Sequence, residues 1–517
     1  MRKIIALYAV IMLVLLAIAG GCKQQSEQTP TPPETEPPTP VPAPVPSPTP
    51  IPKPPPEPRP TPERIESERL IVEIDVSSWI PESLTISPDN RRAAYVAQKD
   101  TKQFVVVDGK EGQPYDGVVP SSMTFSPDSQ QVAYIARVSD DWLVVFDGIE
   151  GKRYSAVNEA SIIFSPDSQR LAYVAKEFLG GWANVYKRLV VVDGIEGEKY
   201  DAIVEDSLTF SADSQHVAYA AAWEKGAESG ETVVVDGIEW REKTTGQNIY
   251  DGIKPGSLIF SDNSQRVAVV ALNRGQWFVV VDREKARRYD DIMPGSLTFS
   301  PNSQRVAYVA KEDRNLLTVV DGDEGKRYHG IIPDSIIFSP DSQRVAYVAI
   351  QGGKQLAVVD GTELKEYDAV NGLIFSSDSQ LIAYTATSGL IQFVVVDGME
   401  GEKYTNINSL IFSPDSQRVA YIAMVGNEQF VVVDGEERKH YEAIMEGTII
   451  FSPDSQRVAY IAEAVNKQFV VIDGTEGKQY DIIVTPSGGK ISFDSSNSFH
   501  YLAFEGDSVY LVEERID

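Results

Sequence analysis

Residues Ser122–Val157 read SMTFSPDSQQVAYIARVSDDWLVVFDGIEGKRYSAV. SMTFSP (Ser122–Pro127) and QVAYIA (Gln131–Ala136) alternate apolar with small or polar residues, the period-two pattern of strands. LVVFD (Leu143–Asp147) is a β-branched and aromatic run, as expected of a strand covered on both faces. KRYSAV (Lys152–Val157) is more polar and reads as an outer edge strand. Pro127-Asp128-Ser129-Gln130 separates the first two strands: proline presets φ, and the aspartate bonds its own backbone. Asp147-Gly148 separates the last two and supplies the positive φ of a tight hairpin. The stretch therefore predicts a four-stranded antiparallel unit.

The unit recurs about every 39 residues, with motif starts at Ser87, Ser126, Ser165, Ser211, Ser261, Ser300, Ser339, Ser376, Ser413 and Ser452, and a degenerate eleventh copy at Ile491–Phe504. Four strands in a unit of this length make one blade of an all-β propeller. About eleven motifs allow one unusually large ring or two smaller rings in tandem. One ring is favoured, because no break in composition interrupts the repeats. The ends are also complementary: Ile491–Glu513 supplies three strands, and Ile71–Ile80 aligns with the fourth-strand position.

FSPDSQRVAYVA (Phe338–Ala349), followed by an aliphatic strand and an Asp-Gly turn, resembles the TolB-type, WD-repeat-like propeller motif. The resemblance spans Leu70–Asp517 and implies a propeller that serves as a binding module. Fold of this kind does not fix function. One departure is systematic: serine stands where the family often has glycine after Pro-Asp. Serine is also a competent turn residue, so the fold is expected to survive the exchange.

The N-terminus predicts an address. Met1-Arg2-Lys3 precedes an apolar run from Ile4 to Gly21, the layout of a secretory signal. Ala19-Gly20-Gly21-Cys22 resembles a lipoprotein signal, which implies lipidation of Cys22; Ala19 stands where the family prefers leucine. An uncleaved membrane anchor is the alternative reading of the run. The expected organisation is a signal peptide over 1–21, a lipidated N-terminus over 22–28, a proline-rich stalk over 29–62 and the repeat domain over 63–517. Both readings place the repeats outside the cytoplasm, at the cell surface or in the periplasm. The stalk favours extended polyproline II, at about 3.1 Å per residue. Cys22 is the only cysteine, so no disulfide or thiolate metal site is expected in the repeats.

A formal charge of −28 spread along the chain argues against nucleic acid and against direct adsorption to anionic lipid. No cofactor is expected. Structural calcium is a secondary reading, since no run of ligand-spaced acids is present. No nucleophile elbow, His-Glu-x-x-His, phosphate loop or dinucleotide fingerprint occurs. His216, His329, His440 and His500 fall at different positions of different repeats and read as drift. Asp116, Asp201, Asp251, Asp290, Asp368 and Asp481, each after a tyrosine, read as structural polar positions before they read as a functional rim.

Specificity is therefore sought where the repeat symmetry breaks. Lys176–Arg188 and Ala222–Thr232 lengthen the connection between second and third strands, and Glu239–Tyr250 lengthens a later hairpin. Trp182, Tyr186 and Trp223 lie in the first two inserts. Trp142 and Trp277 begin third strands where Gln103, Gln429 and Gln468 stand in sister repeats. These five aromatics form the candidate contact surface, because tryptophan and tyrosine are enriched in binding hot spots. Trp240 belongs to the opposite face. The reading is a non-enzymatic binding scaffold for a protein or glycan at the cell envelope, held to its membrane by the lipid. The alternatives are an enzyme acting on extracellular polymer at the channel mouth, and a structural coat component.

Overall fold

Two tight turns set the register of every repeat. In the Asp147-Gly148 turn φ is 47° and 79°, so both central residues are left-handed and the hairpin has a type I′ twist. The second strand, Val132–Val138, and the third, Asp141–Phe146, then pair from Ala133↔Phe146 to Val138↔Asp141. Ala133 through Ala136 and Leu143 through Val145 are all buried. Ala133 and Ala136 lie on opposite faces of the strand and let the neighbouring sheets approach closely.

The computed structural model describes residues 64–516, apart from 181–184, 226–227, 241–249 and 484–490. The described residues form eleven antiparallel sheets and no α-helix. These are eleven blades of one ring. The segments expected to form a signal peptide (1–21) and a stalk (29–62), together with Cys22 and Trp182, lie outside the described residues.

The first strand of a blade is split. In blade 2, Gly117–Val118 and Thr124–Phe125 flank Ser122, whose Oγ accepts the Ile135 N–H at 2.8 Å and donates to the Val119 carbonyl at 2.7 Å. The hydroxyl replaces a missing rung of the ladder. Ser83, Ser161, Ser207, Ser257, Ser296, Ser335 and Thr448 do the same in their blades. Blades 8 and 9 lack this bond and run through as continuous bulged strands, Ala369–Phe375 and Asn406–Phe412: Gly372 stands at the place in blade 8, and Ser409 in blade 9 is left-handed and accepts the Gly447 N–H of blade 10 instead.

The fourth strand differs from expectation. It pairs at Ile149–Glu150 and again through a bridge from Tyr154 to Trp142, while Ala156–Val157 already belongs to blade 3. Lys152 and Arg153 are exposed between these two pairings while Tyr154 is buried, and in blades 6 and 7 the fourth strand is continuous, Asp323–Tyr328 and Thr362–Tyr367.

The ring is fastened blade to blade by residues of the motif. The serine after Pro-Asp is left-handed, with φ of 64° at Ser416, and its Oγ accepts the Asp378 N–H of the preceding blade at 2.9 Å. The same bond recurs at nine successive junctions. Glycine at this site would relieve the backbone but lose the bond. The arginine after Gln is a second fastener. Arg418 donates to Asp434 in its own blade and to the Ser455 and Gln456 carbonyls of the next, with its guanidinium 5.2 Å from the Phe451 ring. His216 substitutes for it, bonding Asp236 at 2.7 Å and stacking on Phe260. Tyrosines of fourth and second strands meet edge to face across most junctions, for example Tyr154 and Tyr173 at 6.3 Å.

Both termini build blade 11. Its inner strands come from Ile482–Ile483, Ser492–Ser495, Ser498–Glu505 and Ser508–Ile516, and its outer strand is Arg64–Glu73, paired from Arg64↔Ile516 to Glu73↔Ser508. The strand thus begins earlier than the expected Ile71–Ile80, and Ile80 instead bonds Val96 in blade 1. Arg64 donates to Glu514, whose side chain is fully buried and also receives the Tyr501 hydroxyl at 2.7 Å. Glu66 and Glu68 take the Tyr480 hydroxyl, and Lys478 bonds Glu68, where sister blades use the glutamate after Asp-Gly.

Candidate functional site

Hairpins between second and third strands share one face of the ring with the crossovers between blades. The Pro-Asp-Ser and Asp-Gly turns occupy the other. The acids that follow each fourth-strand tyrosine bind the hairpins: Asp116 accepts the Ser139 N–H, Asp201 that of Glu224, Asp290 that of Asp313 and Asp368 that of Gly389. His329 stands in this place in its blade and accepts the Gly352 N–H. Backbone and lysine bonds hold the Asp116 and Asp368 carboxyls below the ordinary range, with Lys102 foremost at Asp116 and the Gly389 N–H foremost at Asp368. These acids cap turns.

The residue just before the buried run of the third strand, second in Asp141–Phe146, forms a structural slot. It bridges the fourth-strand tyrosine in every blade from 1 to 10. In five blades it is glutamine, and its Oε1 accepts an N–H from the next blade's first strand: Gln103 from Val118, Gln355 from Val370, Gln392 from Ile407, Gln429 from Ile444 and Gln468 from Ile483. The remaining five are consecutive. Blades 2 to 6 carry Trp142, Arg188, Glu231, Trp277 and Leu316.

This sector also holds the expected aromatics. Trp142 is half-buried with the Arg137 guanidinium over its ring at 5.8 Å. The Trp277 ring lies under the Lys254 ammonium at 4.5 Å, and that ammonium also bonds Asp291 at 2.6 Å. Tyr186 remains 42% exposed, packed on Phe178 at 5.0 Å with the Lys176 ammonium over its ring at 4.1 Å. Trp223 folds down onto its own blade, across Gly230, where an added Cβ would stand 3.1 Å from the indole. The insert residues extend the two hairpins as strands, Leu171–Gly180 with Val185–Val192 and Val217–Lys225 with Glu228–Val235. Trp240 is 4% exposed in the core of blades 4 and 5, on the other side of the blades from the hairpins.

A cavity of roughly 600 Å³ opens between blades 3, 4 and 5. Its lining includes the apolar Val174, Leu208 and Ile253 and the charged Arg188, Glu231, Glu205 and Asp206. Arg188 donates to the Asp201 carbonyl at 2.9 Å. Glu231 accepts the Ile253 N–H, and burial pushes its carboxyl above the ordinary range. Sequence reasoning found the tryptophans of this slot and missed Arg188 and Glu231. Aligning the slot on the fourth-strand tyrosine, the repeat's most regular mark, is the signal that exposes them.

No family model and no curated protein matches the chain. Solved structures are similar at low identity. A eukaryotic initiation factor structure has a TM-score of 0.37 at 12% identity, covering 68% of this chain and 96% of its own. A Dos1 propeller has a TM-score of 0.30 at 12% identity, covering 60% and 93%. TolB from Acinetobacter baumannii has a TM-score of 0.23 at 13% identity, covering 57% and 79%. The propeller assignment rests on the strand pairing of the chain itself.

Proposed function

We propose that the ring is a non-enzymatic binding scaffold, tethered outside the cytoplasm through a lipidated Cys22, and that the hairpin face of blades 2 to 5 receives a protein or glycan of the cell envelope. One observation carries this reading: fasteners are repeated around the ring, yet one slot departs from glutamine in five consecutive blades of one sector. Trp142, Tyr186 and Trp277 lie in that sector and offer large, amphipathic contact area.

Two measurements test the proposal. Metabolic labelling with palmitate should mark the wild-type chain and not Cys22→Ser; equal labelling would remove the anchor. Immobilised full-length protein should retain a defined glycan or membrane-protein fraction that the Trp142→Ala/Tyr186→Ala/Trp277→Ala variant releases. Undiminished retention by that variant would move the contact surface elsewhere.

A further inference from the structure

Two of the five departures from glutamine bring charge, and both charges line one cavity. The slot's structural task is to accept an N–H from the next blade, which a neutral amide does five times. Glu231 performs the same task with one oxygen while adding a charge that its half-buried position disfavours. Arg188 cannot perform it, because a guanidinium has no acceptor; it turns to the Asp201 carbonyl instead. Neither residue forms an ion pair with any described residue. Opposite charges thus face one cavity from adjacent blades, with the apolar Val174, Leu208 and Ile253 around them.

Arg188 is exposed, but the half-buried Glu231 charge is costly unless something pairs it. Had the pair served stability, the two side chains would meet, and they do not. We propose that this cavity binds a small zwitterion, its ammonium against Glu231, its carboxylate on Arg188 and an apolar spacer between them. Arginine offers a carboxylate two parallel donors, which fixes the orientation of that end. Glu205 and Asp206 in the lining favour entry of the cationic end. The volume of roughly 600 Å³ lies within the usual range for small-molecule sites. The assignment rests on reading blades 2 to 5 as the recognition sector, and adds a small-molecule site to it.

The test is calorimetric titration of the full-length protein with linear ω-amino acids from 4-aminobutyrate to 8-aminooctanoate, with hexylamine and hexanoate as half-ligands. One spacer length should bind at least ten-fold more tightly than either half-ligand. Glu231→Gln and Arg188→Gln restore the residue of the sister blades, so each should keep the wild-type thermal midpoint and weaken that binding at least ten-fold. If no member of the series exceeds its half-ligands, or if Glu231→Gln binds as the wild type does, the proposal is overturned. Retention of the macromolecular partner is read separately through the aromatic variants. Absence of zwitterion binding by the wild-type protein, with partner retention intact, would therefore sink the cavity assignment alone.

Discussion

At the scale of single residues, the ring depends on side chains that combine a turn conformation with a bond to a neighbour. Ser416 holds φ at 64° and still contributes the hydroxyl that meets Asp378. Ser416→Ala keeps the backbone strain and strands the N–H, so it should destabilise by about 1–2 kcal/mol. Ser416→Gly loses the same bond but relieves the backbone, and its cost should be clearly smaller. Comparing the two thermal midpoints checks the order. Gly398, at φ 82°, has open space for a Cβ, so its constraint is purely conformational. Gly398→Val should cost about 1 kcal/mol or more, and an unchanged midpoint would remove the need for a left-handed residue there. The turn aspartates add a pH dependence. Asp128, Asp167, Asp341 and Asp415 are all held below their ordinary value, first by the hydroxyl of the serine two residues earlier. A carboxyl depressed in the folded state stabilises above its unfolded pKa, near 3.9, and that stability drains away as pH falls further. The thermal midpoint should hold from neutrality to about pH 5 and drop below about pH 4. A flat profile to pH 3 would contradict this account of the turns.

At the scale of elements, the closing strand is the one joint not built from the repeat. Arg64 and Glu514 form an ion pair with 10% and 0% of their side chains exposed. Glu514→Gln leaves the arginine charge buried and unpaired, which should destabilise by about 3–5 kcal/mol. Truncation after Gly489 removes three strands of blade 11 and should yield a chain that associates through its bared edges. Denaturant unfolding of Glu514→Gln and gel filtration of the truncated chain read the outcomes, and a stable truncated monomer would argue against closure by the termini. The sequence showed that the ends complete a blade but misplaced the strand by several residues. RIESERLIVE (Arg64–Glu73) carries five charges, because an outermost strand contacts the ring on one side only. Its apolar periodicity is correspondingly weak. The interrupted strands, by contrast, were partly hidden by Ser122 and its equivalents, since a hydroxyl replacing a backbone rung has no hydropathy signature.

At the scale of the whole molecule, regularity was legible and its exceptions were harder to read. Near-identical repeats set blade type, turn chemistry and blade number, because each unit must bury its faces against two copies of itself. The candidate site was half-legible. Trp142 and Trp277 stand out in any reading of the third strands, whereas Arg188 and Glu231 look like ordinary surface charges until their slot is aligned across blades. Tyr186 kept its exposure, while Trp223 was taken up by Gly230 on its own hairpin, a pairing that depends on register rather than composition. The account as a whole stands on a single closed ring in which blade 11 is shared between the termini. Electron microscopy of the full-length protein, with class averages viewed down the ring axis, tests this most directly. One closed ring of eleven blades is the predicted image; two smaller rings, or an open arc with a gap beside blade 1, would contradict it.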